Sequence, residues 1–216
     1  MSETLAARAE AILHDWVQSE SLRKHCYAVA DSMKHFAPLR GEDADLWEAV
    51  GLLHDMDYEQ HPNPPVAGVV DPGTSDDECA EEPGSSIPAT MGHPFVGVAW
   101  LRANEWNEEV CRAILSHADY SGVSRETLLE KTLYAVDELS SFVVAVALVR
   151  PTKSVHDVDV RAVKKKMKDK AFARAVNRDD IIRGAEELGM SLDDVIAEVI
   201  VALKGDAERL GLVGAS

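Results

Sequence analysis

The chain has 216 residues, of which 46% are hydrophobic and 28% charged, as in a soluble globular protein with one sizeable core. Its net charge of −16 argues against binding of polymeric nucleic acid, because phosphate backbones require basic surfaces. Three cysteines outside any C-x-x-C spacing, no signal peptide and no bilayer-length apolar run predict a cytoplasmic protein without disulfides or a membrane partner.

Helical periodicity dominates the chain, and no alternating strand pattern is present. Apolar residues spaced at i, i+3 and i+4 predict helices over 4–18, 20–36, 43–55, 94–105, 107–118, 125–149, 178–189 and 192–210. Ser19 or Ser21, Ser124 and Ser191 precede three of these segments and are candidate N-caps. The pattern predicts an all-α protein built as a helical bundle.

Residues 62–92 interrupt the helical pattern. They contain six of the nine prolines, four glycines and six acidic residues, with no Lys or Arg. This composition neither continues a helix nor fills a core. A loop of this length is either functional or a tolerated surface insertion. The sequence therefore leaves two interpretations, a lid and an insertion without a function.

Six residues of metal-ligating type stand in a fixed order along the chain: His25, the doublet His54-Asp55, His93, His117 and Asp137. Imidazole nitrogens and carboxylate oxygens suit Fe, Mn, Co, Mg or Zn rather than a soft thiolate metal. Neighbouring residues on a helix point about 100° apart, so His54 can face one metal while the two oxygens of Asp55 reach two. The doublet therefore predicts a dinuclear site for hydrolytic or redox chemistry.

The strings around these residues carry a family resemblance. RKHCYAVA, GLLHDMDYEQH, MGHPFVGVAWL, AILSHADYS and LYAVDELSSF together resemble the HD-domain metalloprotein superfamily in its six-ligand, two-metal version. The later stretch from VRPTKSVHDVDV to IIRGAEELG resembles a bacterial branch of predicted HD-superfamily hydrolases. The resemblance implies an HD-domain helical bundle over 1–150, with 62–92 as an insertion, and a C-terminal helical extension over 151–216 packed on the same core.

The resemblance also implies how the ligands divide between two divalent metal ions. His25, His54, Asp55 and Asp137 would surround the first metal, and Asp55, His93 and His117 the second. Both metals would keep open positions for water and substrate.

Asp55 is thereby the first candidate catalytic residue. Asp57 and Asp119 each lie two residues past a ligand and are candidates for orienting an imidazole or a water. The alternative interpretation is that Asp57 and Asp119 are surface acids at helix ends.

The basic residues are unevenly spread, since residues 150–183 hold 11 of the 22 Lys and Arg. We expect this stretch to pack against the open side of the bundle and to attract an anionic substrate. The candidate phosphate-binding residues are Arg23, Lys24, Arg150, Lys153, Lys164, Lys165 and Lys168. A solvated lysine face is the alternative explanation.

These observations predict a metal-dependent phosphohydrolase that acts on a small phosphorylated metabolite, a nucleotide or a phosphoester, through a metal-bridging hydroxide. The same nitrogen and oxygen ligands also serve di-iron oxygenases that cleave a C–C or C–P bond with O2. A ligand-sensing HD domain without turnover is a third reading. The C-terminal helices either cover the active site or form the contact of a homodimer.

Overall fold

The computed structural model describes residues 4–62 and 92–214. Within these ranges the chain forms ten α-helices, named α1 to α10 in chain order: Leu5–Trp16, Glu20–Leu39, Ala44–Leu53, Phe95–Ala103, Glu108–His117, Leu128–Leu148, Val160–Met167, Arg178–Leu188, Leu192–Gly205 and Ala207–Leu210. The only β pairing in these ranges is one isolated bridge between Ser154 and Val213. The all-α prediction is confirmed. Of the helices described, none has the length and apolar character needed to span a bilayer.

Two of the predicted helix starts are confirmed and one is wrong. Ser19 caps α2 and Ser191 caps α9 through their side-chain oxygens. Ser124, however, does not cap α6, which starts after Thr127. The Thr127 hydroxyl accepts the Glu130 N–H at 3.3 Å, and the Glu130 carboxylate accepts the Thr127 N–H at 2.8 Å. This reciprocal pair satisfies two free backbone donors at once, and a Ser124 cap offers no such return bond.

Close packing of α3 on α2 sets the position of the His54-Asp55 doublet. Gly51 in α3 lies so close to α2 that a Cβ atom there would stand 2.5 Å from the Ala30 Cα. Any larger residue at position 51 would push the two helices apart. The contact therefore holds the end of α3, where the doublet lies, against the face of α2 that carries His25.

The C-terminal helices share one hydrophobic core with the helices before them. Buried residues from all ten helices form a single cluster, which includes Leu13, Phe142 and Ile196. In α8, Gly184 approaches α6 closely enough that a Cβ would stand 2.6 Å from the Ala135 Cα. This contact places the start of α8 beside the part of α6 that carries Asp137.

The lid prediction for residues 62–92 lies almost wholly outside the described residues. What is described is the meeting of the two chain ends that flank this segment. The His93 N–H donates a hydrogen bond of 2.6 Å to the His61 carbonyl. The segment therefore leaves from and returns to neighbouring points of the fold, next to the predicted ligand His93.

A carboxylate is buried in the core at a distance from the predicted ligands. Asp31 of α2 is only 8% exposed, and its Oδ2 atom has no hydrogen-bond partner. Burial, followed by the charges of Asp206 and Glu48, raises the pKa of Asp31 to about 7 against the opposing effect of Arg209 and Lys34.

We predict that Asp31→Asn stabilises the protein at pH 8 and has little effect at pH 5. The raised pKa means that the folded state binds this proton more tightly than the unfolded state, so stability falls as pH rises from about 4 through about 7. Thermal unfolding should show a gain of at least ~3 °C at pH 8. The exposed Asp15→Asn is the matched control, and an equal gain at both pH values would contradict the account.

Candidate metal centre

Six predicted ligands from six places in the chain meet in one region of the bundle. They are His25 of α2, His54 and Asp55 after α3, His93 before α4, His117 at the end of α5 and Asp137 of α6. Their ligand atoms form two groups, and within each group all atoms lie within 4.8 Å of one another. The first group is His25, His54 and Asp137, and the second is Asp55, His93 and His117.

The first group has the spacing of ligands around one cation. The Nε2 atoms of His25 and His54 are 3.0 Å apart, and Asp137 Oδ1 lies 3.2 Å from the first and 3.5 Å from the second. Metal bonds of about 2.0–2.2 Å, at coordination angles between roughly 90° and 109°, place neighbouring ligand atoms about 3.0–3.6 Å apart. The three side chains therefore fit a metal ion.

The second group has nearly the same dimensions. The Nε2 atoms of His93 and His117 are 3.1 Å apart, and Asp55 Oδ1 lies 3.2 Å from the first and 3.6 Å from the second. These distances again fall in the range for three ligands of one cation. The chain thus has two sets of three ligand atoms, each suited to a metal.

Asp55 faces both groups with different oxygen atoms. Its Oδ1 belongs to the second group, while its Oδ2 lies 3.4 Å from His25 Nε2 and 3.7 Å from His54 Nε2 in the first. Burial alone would raise the pKa of Asp55, but the imidazoles of His54, His117 and His25 hold it well below its ordinary value. The carboxylate is therefore charged, and each of its two oxygens faces one of the two groups.

Hydrogen bonds at the back of the second group fix the imidazole tautomers. His117 Nδ1 donates to the Ile114 carbonyl, and His93 Nδ1 donates to Asp57 Oδ1 at 2.7 Å. Since neither acceptor can donate, both Nε2 atoms present lone pairs to each other. Two lone pairs 3.1 Å apart repel unless a cation or a proton lies between them, so this geometry calls for a positive charge.

The first group also requires a positive charge, as a metal ion or a proton. His54 is fully buried, and its Nδ1 donates to the Gly51 carbonyl at 2.8 Å, so in the neutral imidazole the lone pair of Nε2 faces His25. Burial acts to lower the pKa of His25, but hydrogen bonds and charges from Asp137 and Asp55 raise it to about 10. Metal binding in this group therefore competes with a proton on His25.

Asp57 lies behind His93 and not in the space where a substrate would bind. It is 1% exposed, and its Oδ2 accepts the Gly97 N–H at 2.6 Å while Oδ1 accepts from His93. A Cβ on Gly97 would stand 3.0 Å from the Asp57 Cγ, so only glycine leaves this carboxylate its place. Its contacts are those expected of a residue that orients an imidazole, and it does not reach a substrate in the cleft, because both its oxygens are engaged away from the cleft.

A cleft of about 540 Å³ opens beside the two groups. Five of the six ligands line it, and His54 is covered. Six acidic or phenolic residues complete much of the polar lining: Tyr58, Asp119, Tyr120, Tyr134, Glu138 and Asp180. Glu138 directly follows the predicted ligand Asp137 in α6. This adjacency was the one sequence feature that could have indicated its place in the cleft. Asp180 comes from α8, and only long-range packing brings it to the cleft.

Asp119 lies in the cleft wall, but two arginines hold it. Its Oδ1 accepts from Arg125 at 2.8 Å, and its Oδ2 accepts from Arg183. Burial acts to raise the pKa of Asp119, and the two guanidinium groups lower it. Arg125 also makes two hydrogen bonds to Glu187, at 2.7 and 2.9 Å, and stacks 3.7 Å from the centre of the Tyr134 ring. The structure gives Asp119 no contact with an imidazole.

The cleft is lined by none of the seven basic residues predicted to bind phosphate, which are Arg23, Lys24, Arg150, Lys153, Lys164, Lys165 and Lys168. Several of them have other partners. Lys24 pairs with Glu20 at 2.8 Å, and Lys164 pairs with Asp193 at 2.5 Å. The C-terminal region does reach the cleft, but through residues 175–177 and Asp180.

Comparison with known families agrees with this geometry. The family model described as HD domain matches residues 22–141. This range covers more than half of the chain and contains all six ligands. The chain therefore belongs to the HD-domain family. Searches among curated proteins and among solved structures each found no match.

We predict that Asp57→Asn weakens the second metal group selectively. The substitution removes the charged acceptor that orients His93, and loss of such a partner lowers metal affinity by roughly 10–100-fold. Titration of the metal-free protein should show one site weakened and the other unchanged. Asp119→Asn is the matched control, because Asp119 contacts no ligand. Two sites of unaltered affinity in Asp57→Asn would refute the role assigned to it.

Proposed function

We propose that this protein is a metal-dependent phosphohydrolase that acts on a small phosphorylated metabolite. Membership of the HD family supports a metal-dependent hydrolase in general, and the phosphoryl substrate is the further step. The observation that carries the proposal is the position of Asp55. Its carboxylate lies between two sets of ligand atoms at the edge of an open cleft.

The side chains of the protein would hold the metals and keep their geometry fixed. His25, His54 and Asp137 would hold one ion, His93 and His117 the other, and Asp55 both. When bound, such a pair supplies Lewis acidity and a water of lowered pKa.

With Asp55 shared, one ion would have four protein ligand atoms and the other three, which would leave room for a substrate on the cleft side. His25 Nδ1 and the Ser141 hydroxyl share a hydrogen bond of 2.8 Å. Like the carbonyl or carboxylate acceptors of the other three imidazoles, this bond limits rotation of the ring.

The dimensions of the cleft favour a small molecule. A volume of about 540 Å³ lies within the range of roughly 300–1,000 Å³ that is usual for small-ligand sites. The net charge of −16 also disfavours a polymeric nucleic acid. A nucleotide or another compact phosphoester is therefore the class of substrate that we propose.

We predict that Asp55→Ala lowers phosphate release by more than about 100-fold and lowers the content of both metals, because both groups lose a ligand. The assay is a panel of nucleotides and phosphomonoesters with Mn, Fe, Co, Mg and Zn in turn, together with metal analysis of each protein. Asp15→Ala, at an exposed position, is the matched control. Full hydrolytic activity in Asp55→Ala would refute the proposal.

The same panel separates hydrolysis from oxygenation. Phosphate release stimulated by Mn or Co in the absence of O2 supports the hydrolase. O2 consumption that requires iron and accompanies C–C or C–P cleavage, without phosphoester hydrolysis, would replace it with the di-iron oxygenase.

A further inference from the structure

The cleft has an unusual charge pattern for a site that binds phosphate. All Lys and Arg residues of the chain lie within the described ranges, because residues 1–3, 63–91 and 215–216 contain none. No Lys or Arg in those described ranges lines the cleft. Beyond the metal ligands the cleft carries three carboxylates, Asp119, Glu138 and Asp180. Two of them, Asp119 and Asp180, are paired with arginines that lie outside the lining of the cleft.

The three carboxylates differ in how far the protein already neutralises them. Asp119 is held by Arg125 and Arg183. Asp180 receives the Tyr134 hydroxyl at 2.8 Å and Arg183 at 2.7 Å, both on Oδ1. Arg183 is thus shared between Asp119 and Asp180, and Asp180 itself lines the cleft.

No ion pair joins Glu138 to a Lys or Arg of the described residues. Burial, and after it the charge of Asp137, raise the pKa of Glu138 to about 7, against the Asn177 backbone N–H and His25, so a cationic partner in the cleft would favour its charged form. Glu138 is half-buried and lies one residue from the ligand Asp137. A carboxylate in that position repels phosphate oxygens and attracts a cationic group.

Aromatic rings line the cleft together with the carboxylates. Tyr58 and Tyr120 contribute phenol rings to the cleft and are 44% and 52% exposed. The face of a phenol ring attracts ammonium groups, so acidic and aromatic side chains act in the same direction.

From this arrangement we propose that the substrate is a phosphomonoester of an amino alcohol, with its ammonium group held by Glu138 and Asp180. The inference rests on the proposed function and names its substrate class. In the reaction, water forms a bond to phosphorus and the ester P–O bond breaks. The leaving oxygen takes a proton, and the products are inorganic phosphate and the amino alcohol.

The same charges select against polyphosphates. A single phosphoryl group can be neutralised by two divalent ions, whereas the additional phosphates of a nucleoside di- or triphosphate would face Glu138 and Asp180. We therefore expect nucleoside triphosphates to be poor substrates.

The test compares esters that differ only in one cationic group. The first pair is 2-aminoethyl phosphate and n-propyl phosphate, and the second, with a longer spacer, is 4-aminobutyl phosphate and n-pentyl phosphate. kcat/KM is measured for the wild type, Glu138→Gln, Asp180→Asn and the exposed, charge-matched control Glu186→Gln. Dissociation constants of the four esters for the metal-loaded proteins are measured by calorimetry.

We predict that the wild type prefers the amino ester of at least one pair by ~10-fold or more, in both kcat/KM and affinity. Glu138→Gln should reduce this preference to ~3-fold or less, by raising KM for the amino ester while the alkyl ester is unchanged or improved. Asp180→Asn should act in the same direction, and Glu186→Gln should keep the wild-type preference.

The outcomes separate this inference from the proposed function. Hydrolysis of alkyl and amino esters at equal rates, or an amino preference that survives Glu138→Gln, overturns the ammonium site and leaves the phosphohydrolase standing. If no phosphomonoester or nucleotide is hydrolysed with any of the metals, the proposed function fails, and the ammonium site falls with it if calorimetry shows no amino preference.

Discussion

The site depends on electrostatic repulsion between the imidazoles and carboxylates that surround Asp55. Imidazole Nε2 atoms face each other at 3.0 Å in one group and 3.1 Å in the other, and Asp55 lies between the two groups. Such an arrangement is stable only when positive charge is added, as metal ions or as protons. The partly buried carboxylates of Asp55 and Asp137 strengthen this requirement, since they repel one another until cations neutralise them. This electrostatic requirement connects the fold to metal binding.

The rest of the fold holds these groups in place against their repulsion. Gly51 allows α3 to lie against α2, so the doublet meets His25. Gly97 leaves space for Asp57, which fixes the His93 ring. The Arg125 and Glu187 pair ties the segment between α5 and α6 to α8 and thereby shapes the wall of the cleft. Side chains that never touch a metal therefore determine whether the ligands stay at bonding distance.

Structural features that depend on residues close together in the sequence could be predicted, whereas features that depend on packing between distant parts of the chain could not. Most of the helices follow from local periodicity, and the six candidate ligands follow from residue type and order. However, α7 was not among the predicted helices, and the predicted helix over 192–210 is divided into α9 and α10. The start of α6 was misplaced because the Thr127 and Glu130 pair outcompetes Ser124. The lysines predicted to bind phosphate do not line the cleft, and the orientation of α7 explains this for Lys164. Val163 is fully buried and sets the orientation of α7, so the neighbouring Lys164 pairs with Asp193 instead. Asp180 could not be predicted, because its place in the cleft follows from packing of α8 on α6.

The central claim is that one carboxylate bridges two cations. A crystal structure of the metal-loaded protein, with anomalous diffraction recorded on both sides of the metal absorption edge, tests it directly. The account predicts two anomalous peaks about 3.5–4 Å apart, one beside His25 and Asp137 and the other beside His93 and His117, with one Asp55 oxygen bound to each. A single peak, or two peaks without Asp55 between them, would contradict it.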